Sequence, residues 1–424
     1  MFSLTRKWSQ LRSSVNAITS ASASNSSSSN NGISNGIHYH WETKHNTQKL
    51  ALKAPHEHKL LKRYERTLST LTNHSVPIAG RVTISKEESR DFMAVFPDVV
   101  RELSEVAKSY KTHEAATWFT KALEYNVPLG KKNRGLLTVL TYKNLVKPDD
   151  LTPENIKLAQ YLGWCVEMLQ CFFIISDDIM DNSTTRRGQL CWHKLEEVGL
   201  IAINDALMIE NGIFELLRKN FRHLACYVDL LELFHQITFI TTCGQSLDLL
   251  NANKNVSTFT MDKYDSIVAN KTAYYTFYLP VALALHLAGV KDREIFRQSK
   301  TILLEMGHLF QVQDDFLDCF GNSDITGKIG TDIQDNKCSW LAVVCMQRAS
   351  AEQKAIMEEC YGKNDPEKIA RVKQLYEELD IASLYAIYEE EKYNLIKTHI
   401  QQSSLDIPHE IFLQILNKIY QRDS

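Results

Sequence analysis

Two copies of one acidic pattern, D-D-x-x-D, stand out in the sequence: Asp177-Asp178-Ile179-Met180-Asp181 and Asp314-Asp315-Phe316-Leu317-Asp318. Each follows a long, largely apolar stretch with helical periodicity. On a helix, residues four apart share a face and lie about 6 Å from each other along the axis. Asp177 then points with Asp181, and Asp314 with Asp318. Carboxylates at a helix C-terminus meet the negative end of the macrodipole. Each like-charged i,i+4 pair adds a penalty of roughly a few tenths of a kcal/mol. A sequence that accepts this twice points to bound cations. Mg²⁺ suits such sites, because it takes one or two protein carboxylates and completes its shell with water and phosphate oxygens. Two solvated helix ends are the plainer reading, and a single copy of the pattern would not displace it.

Basic residues strengthen the case for phosphate. Arg186 and Arg187 follow the first acidic cluster, Lys328 and Lys337 follow the second, and Gly130-Lys131-Lys132-Asn133-Arg134-Gly135 forms a glycine-flanked basic loop. Guanidinium groups bind phosphate oxygens in pairs, whereas lysine supplies a point charge. Any one of these is more often an ordinary surface residue. Beside metal-type carboxylates, they describe a diphosphate trap.

The elements that position these groups read as helices. Thr152 is an N-cap candidate with Pro153 at the first helical position, and the apolar run continues from there to Asp181. A second long helix is expected from about Glu294 to Asp318, stopping before Gly321. A third runs over roughly Phe259–Ala288, interrupted or kinked near Pro280. Strand patterns bounded by Asn-Gly or Asp-Gly turns are essentially absent. The expectation is an all-α protein: a large single-domain bundle of about ten core helices around a deep central cavity. It should occupy residues 82–424, after a polar linker at 41–81.

Composition narrows the function. The net charge of −3 gives no global basic field, which argues against nucleic acid as a partner. Nine cysteines contain no C-x-x-C pair, so they read as reduced thiols and supply no zinc framework. The longest apolar run, near Leu279–Val290, is too short to span a membrane. Residues 1–40 carry Arg6, Lys7 and Arg12, no acid, and a Ser- and Asn-rich tract. That composition is expected of a mitochondrial transit peptide, with a disordered tail on a cytoplasmic protein as the alternative.

Taken in order, Gly130–Gly135, Phe172-Phe173, Arg186–Trp192, Gly244-Gln245-Ser246-Leu247-Asp248, Lys271-Thr272 and Gly327–Asp332 resemble the farnesyl diphosphate synthases, over the chain from about residue 85 onward. The resemblance implies a homodimer that condenses isopentenyl diphosphate with dimethylallyl and then geranyl diphosphate. It further implies about three Mg²⁺ ions, with Mn²⁺ as a substitute, held by Asp177, Asp178, Asp181, Asp248, Asp314, Asp315 and Asp318. Arg186, Lys271, Lys328 and Lys337 would neutralise the allylic diphosphate, and Lys131, Arg134, Gln170 and Arg187 would hold isopentenyl diphosphate. Lys271, Thr272 and Gln311 would steady an allylic carbocation. Phe172 and Phe173, about one turn before Asp177, would limit chain length. A geranyl or geranylgeranyl diphosphate synthase, or a weakly active partner subunit, remains an alternative. The chain departs from the family at Leu129, where glycine is usual, at Leu190, where proline is usual, and at His308, where an acid is usual. Its C-terminus also lacks a strongly basic ending, leaving Arg422 alone there.

Overall fold

The expected helix at the centre of the protein is present, and its start follows from its caps. In the computed structural model, which describes residues 85–321, 330–404 and 408–420, Thr152 Oγ1 accepts the Asn155 N–H at 3.2 Å and Pro153 occupies the first turn. The helix, α4, runs Pro153–Met180. Before it lie α1 (Lys86–Ser109), α2 (His113–Asn126) and α3 (Asn133–Leu145). After it come α5 (Ile201–Phe221) and α6 (Tyr227–Ala252), then α7 (Met261–Ile267) and α8 (Leu279–Leu287), joined by a π-helical segment, Val268–Tyr278. The long α9 (Arg293–Phe320) follows, then α10 (Trp340–Arg348), α11 (Ala351–Cys360), α12 (Pro366–Glu378), α13 (Ile381–Gln402) and α14 (His409–Ile419).

Helix α4 is apolar on almost every side, which sends it to the middle of the bundle. Leu162, Trp164, Val166, Met168 and Leu169 are fully buried, and Trp164 stacks on Phe92 of α1 at 4.5 Å. By length and hydropathy alone this helix could cross a bilayer, but 72% of its most apolar window is buried among the other helices. It is a core helix. All nine cysteines are free thiols, and only Cys243 is exposed.

The third expected helix differs in an instructive way. Pro280 does not break it: Tyr278 and Leu279 keep helical dihedrals on either side of the α8 start. The irregularity is instead the π segment upstream, with its i→i+5 ladder, a geometry found mostly at functional sites. Two glycines allow neighbouring helices to press directly on its backbone. A Cβ on Gly244 of α6 would sit 2.5 Å from the Asn270 carbonyl carbon, and one on Gly307 of α9 would sit 2.7 Å from Ala273 Cα. The segment carrying Lys271 and Thr272 is therefore gripped from both sides.

One small hairpin was not expected. Strands β1 (Thr185–Arg186) and β2 (Gln189–Leu190) pair antiparallel, Thr185 with Leu190 and Arg186 with Gln189. Arg187 and Gly188 make the turn with φ of 54° and 79°, the positive values that two-residue hairpin turns demand. Arginine at the first of these positions hides the turn from a search for Asn-Gly or Asp-Gly.

Gly244→Ala should lower thermal stability by about 1–3 kcal/mol, the usual range for overpacking a rigid contact. Because the clash falls on the backbone of Lys271, the variant should also lose more than tenfold in activity, far out of proportion to its folded fraction at assay temperature, measured by calorimetry and turnover together.

Candidate active site

The first acidic cluster closes α4, with Asp181 as its C-cap residue. Asp177 and Asp181 open onto the same cleft of about 450 Å³, lined also by Asp248, Lys271, Thr272, Gln311, Asp315, Asp318 and Lys337. Lys271 Nζ lies 3.2 Å from Asp177 Oδ1 and 2.7 Å from Asp248 Oδ2. Lys337 Nζ lies 2.9 Å from Asp181 Oδ2 and 3.1 Å from Asp248 Oδ2. Gln245, from the Gly244–Asp248 motif, donates to Asp177 Oδ1 at 3.0 Å. Three carboxylates from two helices thus surround two ammonium groups.

The electrostatics follow from that arrangement. Burial opposes ionisation at Asp177 and Asp248, but the charges of Lys271 and Lys337 outweigh it, and both carboxyls sit below the usual range. Burial likewise works against the Lys271 charge, yet Asp177 and Asp248 lift its pKa above the ordinary lysine value. Asp181 goes the other way, raised first by burial and then by the negative charge of Asp177. Among the described residues, no three acidic, histidine or cysteine groups close into a complete metal site. The donor set fits a hard cation that keeps open positions for water and phosphate, which is the habit of Mg²⁺.

Two of the expected ligands are employed elsewhere. Asp178 is buried, and its Oδ1 accepts from Arg186 Nε at 2.9 Å and Nη2 at 2.5 Å. One residue on from Asp177, it lies on another side of the helix and is not part of the cleft lining. Asp315 does line the cleft, but both of its oxygens are taken, Oδ1 by Gln311 Nε2 and Oδ2 by the Trp340 N–H, at 2.9 and 2.8 Å. Burial pushes its carboxyl pKa up. Asp178 thereby positions Arg186, and Asp315 positions Gln311. Thr272 extends the second chain by donating to Gln311 Oε1 at 2.9 Å. Asp318 lines the cleft and accepts the Asp332 N–H at 3.0 Å, whereas Asp314 is half-buried on α9 just outside the cleft lining. Lys328 and Arg422 lie outside the described residues.

A second cationic centre lies on the far side of the Arg187–Gly188 turn. Arg187 Nη1 donates to the Leu129 carbonyl at 2.5 Å, so the unusual side chain at 129 leaves this backbone contact intact. With its amide oriented as its neighbours require, Gln170 accepts from Arg134 Nη1 at 2.7 Å and Arg187 Nη2 at 3.1 Å. Its NH₂ then donates to Glu167 at 3.1 Å. Arg134 also stands over the Tyr275 ring at 4.7 Å and bonds Thr276 Oγ1 at 2.9 Å. Lys131 is exposed at the loop, whereas Lys132 is buried with φ of 52° and donates to the Gly130 carbonyl. Glu167 was missed from sequence. The available signal was an acid isolated within the apolar run Ala159–Ile175, three residues before Gln170.

Phe172 and Phe173 stand half-buried one turn before Asp177, rings 5.2 Å apart, with Phe173 edge-on to Tyr275 at 5.3 Å. Neither is among the cleft-lining residues.

Residues 116–379 match the polyprenyl synthetase family model. The chain belongs to the polyprenyl synthetase family. Within that family it is 52% identical to a farnesyl pyrophosphate synthase of Murgantia histrionica, covering 80% of this chain and 84% of the relative. It is 49% identical to the farnesyl pyrophosphate synthase of Bos taurus, over 79% of this chain and 96% of the relative. A T. brucei farnesyl diphosphate synthase solved with risedronate superposes with a TM-score of 0.74 at 31% identity, over 79% of this chain and 99% of that one.

The difference between adjacent aspartates can be measured without ligand. Asp178→Asn leaves a part-buried guanidinium short of its partner and should cost about 1–3 kcal/mol in urea unfolding. Asp177→Asn, after which Lys271 still has Asp248 and Lys337 still has Asp181 as partners, should cost clearly less. Equal losses would contradict the separate roles assigned here.

Proposed function

We propose that this polyprenyl synthetase is a Mg²⁺-dependent farnesyl diphosphate synthase, condensing isopentenyl diphosphate with dimethylallyl and then geranyl diphosphate. The observation that carries the reading is the pairing of two cationic centres. An acid-and-lysine cleft and an arginine–glutamine cage share one arginine turn and one π-helical segment. Two diphosphates can be held side by side only where both exist.

Asp177, Asp181 and Asp248, with Asp314 and Asp318 on the facing helix, would hold Mg²⁺, whose contribution is Lewis-acid neutralisation of the diphosphate charge. Three ions, with Mn²⁺ able to replace them, is the stoichiometry we propose. Lys271, Lys337 and Arg186 donate to the departing diphosphate and lower the cost of breaking the allylic C–O bond. The carbocation left behind lies near Thr272 and Gln311. Because Thr272 directs its proton at Gln311, its oxygen presents lone pairs to the cleft. Ile267 and Val268 supply an apolar wall that excludes water. Arg134, Gln170 and Arg187 hold isopentenyl diphosphate while its double bond attacks, forming the new C–C bond. The proton released passes to the departing diphosphate.

A homodimer is the proposed assembly. Val228, Phe239 and Leu250 are 60%, 71% and 60% exposed, and they recur every eleven residues along α6. That interval is about three helical turns and aligns them in one stripe. Light scattering should give twice the chain mass. For residues 1–40, which lie outside the described residues, we propose mitochondrial targeting, and a fluorescent fusion localising to the cytosol would refute it.

Purified protein with Mg²⁺, isopentenyl and dimethylallyl diphosphates should yield the fifteen-carbon product by chromatography, and EDTA should abolish it. Asp177→Ala and Asp314→Ala should each lower turnover by several orders of magnitude with the fold intact by circular dichroism. Phe172→Ala/Phe173→Ala should extend the product beyond fifteen carbons. A folded double variant that still stops there would remove both rings from the chain-length role.

A further inference from the structure

One buried carboxylate belongs to neither cationic centre. Asp205 on α5 is 1% exposed, and among the described residues its recorded partners are two indoles and no cation. Its Oδ1 accepts from Trp118 Nε1 at 2.9 Å and its Oδ2 from Trp192 Nε1 at 2.8 Å. Indole N–H groups donate only, so each carboxylate oxygen has one fixed partner. A buried charge without a cation is costly to keep, and the usual return is the orientation of whatever binds it.

What it orients is the arginine hairpin. Trp192 follows β2 by two residues and is buried against Tyr125, ring to ring at 5.0 Å. Tyr125 Oη in turn donates to the Leu190 carbonyl at 2.9 Å, and Gln189 Nε2 donates to the Tyr125 carbonyl at 3.3 Å. The base of the hairpin closes through the Cys191 N–H to the Thr184 carbonyl at 3.0 Å. Trp118 also sits on α2, one ring contact from Trp192 at 6.1 Å, but it makes no hydrogen bond to the hairpin itself among the described residues. From the other end of the hairpin, Arg186 reaches Asp178 and Arg187 reaches Leu129 and Gln170. A shift of β2 along β1 would break the pairing of Arg186 with Gln189 and drag the Arg187–Gly188 turn between them, disturbing the two guanidinium groups together.

We propose that Asp205 is a positioning residue for phosphate recognition: through Trp192 it fixes the register of the Thr185–Leu190 hairpin, and so places Arg186 and Arg187 for the two diphosphates together. The assignment rests on the prenyl-transfer reading above and reaches a residue outside either site.

The test compares two substitutions that each remove one hydrogen bond from the same carboxylate. The full chain with Mg²⁺ is assayed for KM and kcat with isopentenyl and geranyl diphosphates, alongside thermal unfolding. Trp192→Phe should raise both KM values together by roughly tenfold, the size expected for losing one hydrogen bond to a charged acceptor. Trp118→Phe should lower Tm by a similar amount and leave both KM values close to wild type. Asp205→Asn, whose amide can accept from only one indole, should follow Trp192→Phe. KM values unchanged in Trp192→Phe despite a lower Tm, or raised equally in Trp118→Phe, would overturn the proposal. If Asp205→Asn does not fold, the two tryptophan variants decide the matter. A wild-type protein that turns over neither substrate would refute the prenyl-transfer reading instead. Calorimetric binding of inorganic pyrophosphate with Mg²⁺ then separates the variants: weakened only in Trp192→Phe supports the assignment, and equal in both refutes it.

Discussion

The structure is organised around charge compensation in a confined space. Three carboxylates, Asp177, Asp181 and Asp248, end up beside one cleft with most of their surface removed from water. Unscreened, they would repel strongly and take up protons. Lys271 and Lys337 prevent that for Asp177 and Asp248, while Asp181 stays poorly compensated. The same feature that makes the cluster costly for the protein makes it receptive to a divalent cation. It also explains why the lysines sit among the acids and not at the protein surface: each ammonium bridges two carboxylates from different helices.

That compensation depends on where the π-helical segment lies. Lys271 can reach α4 and α6 together only because α6 and α9 approach the segment at backbone contact, through Gly244 and Gly307. The widened ladder then serves both centres from a single stretch of chain. Lys271 and Thr272 face the cleft, while Tyr275 and Thr276 hold Arg134. The arginine hairpin repeats the device on a smaller scale, sending adjacent guanidinium groups to different centres. Both devices set the spacing between the centres by rigid backbone, so that spacing does not rely on flexible side chains.

Asp178 and Asp315 show how one motif divides its labour. In each D-D-x-x-D the second aspartate is buried and hydrogen-bonded, Asp178 through Oδ1 to Arg186 and Asp315 through both oxygens to Gln311 and Trp340. The outer aspartates of the first motif remain on the cleft side. A buried carboxylate that accepts well-formed hydrogen bonds is a stiff support. It orients the side chain that donates to it, and in both motifs that side chain, Arg186 or Gln311, lines the cleft.

The all-α class, the long helices at Pro153–Met180 and Arg293–Phe320, and the shared face of Asp177 and Asp181 were legible in the sequence alone. Each depends on local rules: capping at Thr152, apolar periodicity, and the 3.6-residue turn. Other features were decided by tertiary structure. The π geometry of Val268–Tyr278 arises where two helices press on one backbone, and nothing in its own residues requires it. The burial of Asp178 and Asp315, the partnership of Glu167 with Gln170, and the choice of Lys132 over Lys131 as the buried lysine all depend on what lies across the bundle. Asp205 depends on Trp118, 87 residues away in the chain. Spacing along a helix specifies which side chains share a face, because the helix repeats. Which groups oppose that face is set by packing between segments far apart in sequence, and local periodicity carries no record of it.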